Sequence, residues 1–333
     1  MISKKQIYLG GIIILIIILA LILTGRTEKS SLTEAPVGLR EIKIGYLPVG
    51  ASHVGLPILV AEEKGFFQEE GLKVELVKID TGMSVSALLN GSIDYSSFGI
   101  AEIGASLKGA SISTFMLTAR GPANFMLIAR PGLEIDEIKT IGITYWHIPM
   151  HYQALRLVEE ENLESEIVVS GAPAATVAML VKGDVDAVLA SDLRAVQLQA
   201  EGFQSIKELE TMHPSSLSTR KEKIENDPEE VQSVVRAFQK SIEYILQADI
   251  EEIAEFLLKH SSMEATTENI DLARAASPSI VKALDRRGLA ANEGAEMLIK
   301  YAKAGNYQTL QDVESQIVTA DEIKQVFDFR FVE

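Results

Sequence analysis

Apolar positions along the chain fall into two patterns: short runs of four to eight residues that suit buried strands, and longer stretches with an apolar residue every third or fourth position that suit helices. From residue 42 the two alternate. A strand is predicted over 42–47, a helix over 57–70 stopped by Gly71, a strand over 74–79, and a helix over 83–90 stopped by Gly91. A short strand over 95–98, a helix over 100–108 and a strand over 112–118 follow. The alternation then restarts, with strands predicted over 140–144, 167–169 and 187–190 and helices over 149–161, 173–182 and 193–201. Strands that alternate with helices imply a mostly parallel sheet. Beyond 219 the pattern is helical to about 329, beginning with 228–248 and 250–259, where Asp227 is the expected cap and Pro228 the first helical residue.

The chain also repeats itself. Leu88-Leu89-Asn90-Gly91-Ser92-Ile93-Asp94-Tyr95 is echoed by Leu180-Val181-Lys182-Gly183-Asp184-Val185-Asp186-Ala187, each reading as a helix end, a glycine stop and an Asp-led strand. Upstream, Ile42-Lys43-Ile44-Gly45-Tyr46 has the pattern of Lys139-Thr140-Ile141-Gly142-Ile143. Two similar α/β lobes with a ligand cleft between them are the economical reading. The chain is expected to cross near Gly121-Pro122 or along 125–129 and to return through 215–219. That division assigns 41–122 plus 215–333 to lobe 1 and 123–214 to lobe 2. Two crossings make a hinge, and a hinge permits closure.

Ahead of the lobes, Lys4-Lys5 precedes an almost unbroken apolar run over 7–23, followed by Thr24-Gly25-Arg26. Residues 1–26 are expected to be a signal anchor or a signal peptide, the run's length favouring an uncleaved anchor. The leading lysines place the remainder outside the membrane. Residues 27–40 are polar and aperiodic, as a linker would be. With no cysteine among 333 residues, disulfides, thiolate metal sites and lipoprotein attachment are excluded. A net charge of -16 without clustered basic residues argues against a nucleic-acid partner.

The run Ala61-Glu62-Glu63-Lys64-Gly65-Phe66-Phe67-Gln68-Glu69-Glu70-Gly71-Leu72-Lys73-Val74-Glu75, with Ile44 to Pro48 before it and Ala87 to Gly99 after it, resembles the solute-binding proteins of nitrate/sulfonate/taurine/bicarbonate-type ABC importers. That family includes binders of thiamine pyrimidine precursors. The likeness runs, with falling clarity, from about Ile42 to Pro228. It implies a type II periplasmic-binding-protein fold, an extracytoplasmic monomer that hands a small solute to a membrane permease, no catalysis and no cofactor. Small oxyanions or organosulfonates rank first as cargo and a pyrimidine-like heterocycle second; a pyrimidine-synthase-like enzyme or a sensor domain ranks lower. Within the run, Gly65 reads as a helix stop and Phe66-Phe67 as packing against the sheet.

In open α/β sheets ligands collect at the carboxyl ends of strands, beside helix N-termini. That rule selects Tyr46 and His53 after the first strand, Ser96, Ser97 and Phe98 after the third, and Thr144, Tyr145, Trp146 and His147 in the second lobe. Ser170 and Gly171, with Ser191 and Asp192 behind them, complete the set. Trp146, the only tryptophan, either stacks on a flat ligand or packs a crossing. His147 and His151 have the spacing of a helical metal pair, but Pro149 between them marks a helix start and no metal is expected. Asp94 and Asp186 read as structural turn residues. Arg120 and Arg130 lie near the crossing and read as pairing residues, and Glu159 to Glu161 and Glu229-Glu230 as solvated helix faces.

Overall fold

In a computed structural model of the chain, the described residues are 38–46, 52–79, 81–97, 99–119, 122–212, 215–261, 263–284, 292–305 and 307–332. The expected anchor over 1–26, the linker as far as residue 37, Phe98 and Arg120 lie outside them. No helix among the described residues is long and apolar enough to cross a membrane. Leu39–Glu333 form one compact unit that contains two five-stranded sheets.

The first sheet has the order β2-β1-β3-β10-β4, from β1 (Arg40–Tyr46), β2 (Leu72–Lys78), β3 (Tyr95–Ser96), β4 (Ile112–Ala119) and β10 (Ser215–Arg220). The second has the order β7-β6-β8-β5-β9, from β5 (Pro122–Ala129), β6 (Thr140–Ile143), β7 (Glu166–Val169), β8 (Ala187–Ser191) and β9 (Gln204–Met212). In each, three parallel strands are followed by an antiparallel one, β10 or β5, and then an edge strand. The chain passes between the sheets twice, after β4 and after β9. Four strands of each sheet therefore run the same way, as a mostly parallel sheet requires, and one, β10 or β5, runs against them.

The antiparallel strands escaped the periodicity argument for physical reasons. β10 reads Ser-Ser-Leu-Ser-Thr-Arg, a polar run, yet its first five residues are buried. Hydroxyl pairing makes that possible: Ser218 bonds Thr114 at 2.8 Å, Ser215 bonds Thr118 at 2.6 Å, and Thr219 donates to the Asp94 carbonyl. The segment 125–129, expected as a possible crossing, is part of β5.

Helices cover the sheets. The stretch predicted as one helix is two, α1 (Leu56–Glu63) and α2 (Phe66–Glu69), because Gly65 adopts φ 77° between them. Phe67 is fully buried and meets Phe238 edge-on at 5.8 Å, while Phe66 meets Tyr244, so this pair packs against a helix as well as the sheet. α3 (Ser84–Leu89), α4 (Ile100–Leu107), α5 (Pro149–Glu160), α6 (Pro173–Lys182) and α7 (Asp192–Ala200) follow, near their predicted bounds.

After β10 come α8 (Lys221–Asn226), α9 (Pro228–Gln247), α10 (Ile250–Lys259), α11 (Thr267–Ala283), α12 (Asn292–Ala304), α13 (Leu310–Glu314) and α14 (Ala320–Val326). Asp227 occupies the cap position of α9 without a side-chain cap bond and pairs instead with Lys223 at 3.2 Å. Glu230 is not solvated. It is buried, accepts from the Tyr95 hydroxyl at 2.8 Å, and is neutralised by Lys223 and Arg40, which ties α9 to the first sheet. Leu193 of α7 joins the first sheet's apolar core with Ala276 and Ile280 of α11, so the two halves share packing.

Candidate functional site

Repeated aspartates set the frame. The Asp94 carboxylate accepts from the Lys43 amide at 2.9 Å and pairs with Arg220 at 3.5 Å. At the matching place in the second sheet, Asp186 accepts from the amides of Lys139 and Thr140 at 2.9 and 3.0 Å, from the Thr140 hydroxyl, and from Arg130. Burial opposes the Asp186 charge, but these donors outweigh it and hold the carboxyl below its usual range. Each arginine ends or follows its sheet's inserted antiparallel strand. Both aspartates pin neighbouring strands, and Arg130 is committed to one of them.

At the carboxyl ends of the first sheet's strands, the side chains are largely engaged. Tyr46 is buried in the core. Ser96 donates to the fully buried Glu102 at 2.6 Å, and Ser97 to the Gly45 carbonyl at 3.2 Å. Burial pushes the Glu102 carboxyl up, and the Ser84 and Ser96 hydroxyls and the Gly99 amide work against that rise. His53 is also buried, in the turn before α1. These residues shape the corner rather than present open side chains to it.

The second sheet's corner is more open. Thr144, after β6, lies 3.4 Å from the Thr176 hydroxyl, which contacts Ser170 at 2.6 Å. Ser170 also donates to the Ala172 carbonyl, so three hydroxyls gather where α6 begins. Gly171 turns the chain there at φ 79°. Ser191 occupies the cap position of α7 without a side-chain cap bond, and Asp192 is that helix's first residue. Beside this corner Tyr145 and Trp146 remain 36% and 40% exposed.

Trp146 is not loose. Its ring meets His151 edge-on with centroids 4.7 Å apart, and His151 stacks on Tyr307 at 4.6 Å and 14°. His147 sits in the loop, not on α5, in a left-handed conformation with φ 58°. Its amide donates to His151 Nδ1 at 3.2 Å, which leaves the His151 proton on Nε2. Burial, then the neighbouring His147, brings the His151 pKa down to about 4. The Tyr307 hydroxyl donates to the Ile148 carbonyl at 3.0 Å and Tyr152 to Glu314 at 3.3 Å, so the segment after α12 clasps the start of α5. No group of three or more His, Asp or Glu able to hold a metal occurs among the described residues.

Next to this loop lies an open-sided hollow with a cavity volume of about 360 Å³, lined by one face of α4, by His147, and by Tyr301, Ala302 and Gly305. The structure thus brings Thr144, Tyr145, Trp146, His147, Ser170 and Gly171 to one neighbourhood. Sequence reasoning missed Thr176, Tyr301 and Tyr307. Thr176 carried a signal, one turn into a helix whose first residue is Pro173. The two tyrosines come from the C-terminal helical region and carried none.

Two mixed α/β sheets linked by two crossings, with loops gathered at strand ends, make a fold that solved structures share. A Candida albicans gene product described as having the generic periplasmic binding protein fold is 14% identical, covering 87% of this chain and 96% of its own, with a TM-score of 0.62. A putative periplasmic sulfonate-binding protein of an ABC transporter from Methylobacillus flagellatus is 18% identical, covering 89% and 93%, with a TM-score of 0.64. The periplasmic nitrate-binding protein of Synechocystis is 12% identical, covering 88% and 86%, with a TM-score of 0.59. The chain belongs to the NMT1/THI5-like family, whose model matches residues 52–251. Among curated proteins no sequence match was found.

Proposed function

We propose that this protein is the extracytoplasmic solute-binding component of an ABC importer and that it captures a small oxyanion or organosulfonate between two lobes that close about the crossings after β4 and β9. The observation that carries this reading is the half-exposed Trp146 beside the Thr144, Thr176 and Ser170 hydroxyls at the start of α6. A helix N-terminus favours negative charge by typically 0.3–1 kcal/mol when exposed. Micromolar affinity needs about 8 kcal/mol, so several donors must act with apolar contact. Trp146 supplies the apolar wall, Thr144, Ser170 and the amides near Gly171 supply donors, and closure excludes water. In this reading lobe 1 spans 41–122 plus 215–333 and lobe 2 spans 123–214, the protein acts as a monomer, and the apolar N-terminal run serves export or tethering beside a permease.

A second reading is supported by the same tryptophan: a flat exposed indole suits a pyrimidine-like heterocycle as well as a sulfonate tail. Thermal-shift measurements against nitrate, bicarbonate, taurine, alkylsulfonates and a hydroxymethylpyrimidine separate the two. A ligand at a hundred times its Kd adds about 2.7 kcal/mol. Stabilisation by an oxyanion or sulfonate is expected; stabilisation by the heterocycle alone would favour the second reading, and no response to any of them would remove the first.

A further inference from the structure

We propose that Tyr307 is a positioning residue for the solute site: it presets the Trp146 indole through His151, a role that rests on the cargo reading above. A half-exposed indole free to rotate would have to be immobilised each time solute binds, which lowers affinity. The structure immobilises it beforehand. His147, the next residue, takes a left-handed backbone with φ 58°, which a residue bearing a Cβ keeps only where its surroundings enforce it. The same residue's amide donates to His151 Nδ1 at 3.2 Å, so the turn that carries Trp146 is fastened to the His151 ring.

What holds His151 is then decisive. It is fully buried, and its Nε2 has no hydrogen-bond partner among the described residues, so its orientation depends on that one amide and on the rings that flank it. Trp146 meets it edge-on with centroids 4.7 Å apart, and Tyr307 stacks on it at 4.6 Å and 14°. Tyr307 is itself anchored: it is 1% exposed, packs with Tyr301 and Val313, and donates to the Ile148 carbonyl at 3.0 Å, one residue before α5. The chain reaches it from α12, whose Leu298 and Ile299 cluster with Ile103 of α4 and Leu117 of β4. The ring that sets the indole is therefore rooted against the first sheet, whereas the indole follows β6 of the second. Loss of the stack frees His151, and with it the His147 turn and Trp146.

Trp146 is the only tryptophan of the chain, so the nanosecond anisotropy decay of tryptophan emission reports that ring alone. In the full-length wild type without solute, the indole is expected to show little motion faster than overall tumbling, despite its exposure. Y307L removes the stacked ring; it is expected to add a fast component to that decay and to weaken butanesulfonate at least fivefold in calorimetric titration. Y307F keeps the ring and is expected to recover most of both losses. A purely structural role would lower the melting temperature and leave the decay of the folded variant unchanged. A freely rotating indole in the wild type, an unchanged decay or full butanesulfonate affinity in folded Y307L, or a Y307F no better than Y307L would overturn the proposal. If Y307L does not fold, the wild-type decay decides alone. If butanesulfonate does not bind the wild type, the sulfonate reading fails, and the decays still decide whether Tyr307 sets the indole.

Discussion

Asp186 carries more hydrogen bonds than any contact its sequence position suggests, and its loss should be felt beyond its own strand. D186A removes the acceptor for two amides, a hydroxyl and Arg130, and is expected to destabilise by about 3 kcal/mol in denaturant unfolding. A change below 1 kcal/mol would mean that water replaces the carboxylate easily. The repeat made this role legible: an aspartate at the start of each recurrent strand reads as a turn-former, and the structure gives each a lysine amide on the neighbouring strand's start and an arginine partner, with Thr140 added at Asp186. His151 was not legible in the same way. Its spacing from His147 raised a metal pair that Pro149 argued against, and nothing local marked it as a buried neutral ring between Trp146 and Tyr307.

Because the folded His151 pKa lies near 4 and the unfolded value near 6.5, the unfolded chain binds the extra proton between them. Its contribution is fully present above the unfolded pKa and is lost as pH falls through the folded one. The loss is on the order of 3 kcal/mol. Unfolding of the wild type and H151F compared from pH 7 to pH 4 should show a steeper decline for the wild type. Parallel curves would place the histidine in a wetter setting.

At the scale of elements, the helices after strands were legible because glycine stops and prolines mark their ends. α6 and α10 fall where predicted, and α5 within a residue. The antiparallel strands were not, since β10 hides its burial behind paired hydroxyls and β9 follows a helix without a strong apolar run. Glu230 shows the same limit: acidic residues in a first helical turn read as solvated, and only the sheet beneath shows that Tyr95 and Lys223 await one of them. Gly65 is a sharper case. Its φ of 77° breaks one predicted helix into α1 and α2, and a Cβ there would lie 2.9 Å from Gln68 Oε1. G65A is therefore expected to cost roughly 1–2 kcal/mol, most of it backbone strain, in a melting comparison with the wild type. An unchanged melting temperature would show that the turn relaxes.

For the whole molecule, two sheets of matching order and two chain passages were foreshadowed by the ninety-residue echo. What the sequence could not show is how the C-terminal helices reach across, as α11 does to Leu193 and Tyr307 does to Ile148. Those contacts lie far apart along the chain and have no local pattern. The proposed lobe closure would therefore have to work against, or around, packing between the halves. Trp146 sits where such movement would be felt, and W146A should weaken the solute that stabilises the protein by more than tenfold, about 1.4 kcal/mol, in calorimetric titration. Affinity unchanged by W146A would assign the indole to the aromatic cluster alone.

The most direct test of a closing, solute-binding clamp is X-ray scattering of the protein with and without the solute that raises its melting temperature, with Trp146 emission recorded over the same titration. The radius of gyration is expected to fall as the site fills, with the emission changing in step. An unaltered radius of gyration at saturation, with emission that ignores the solute, would contradict it.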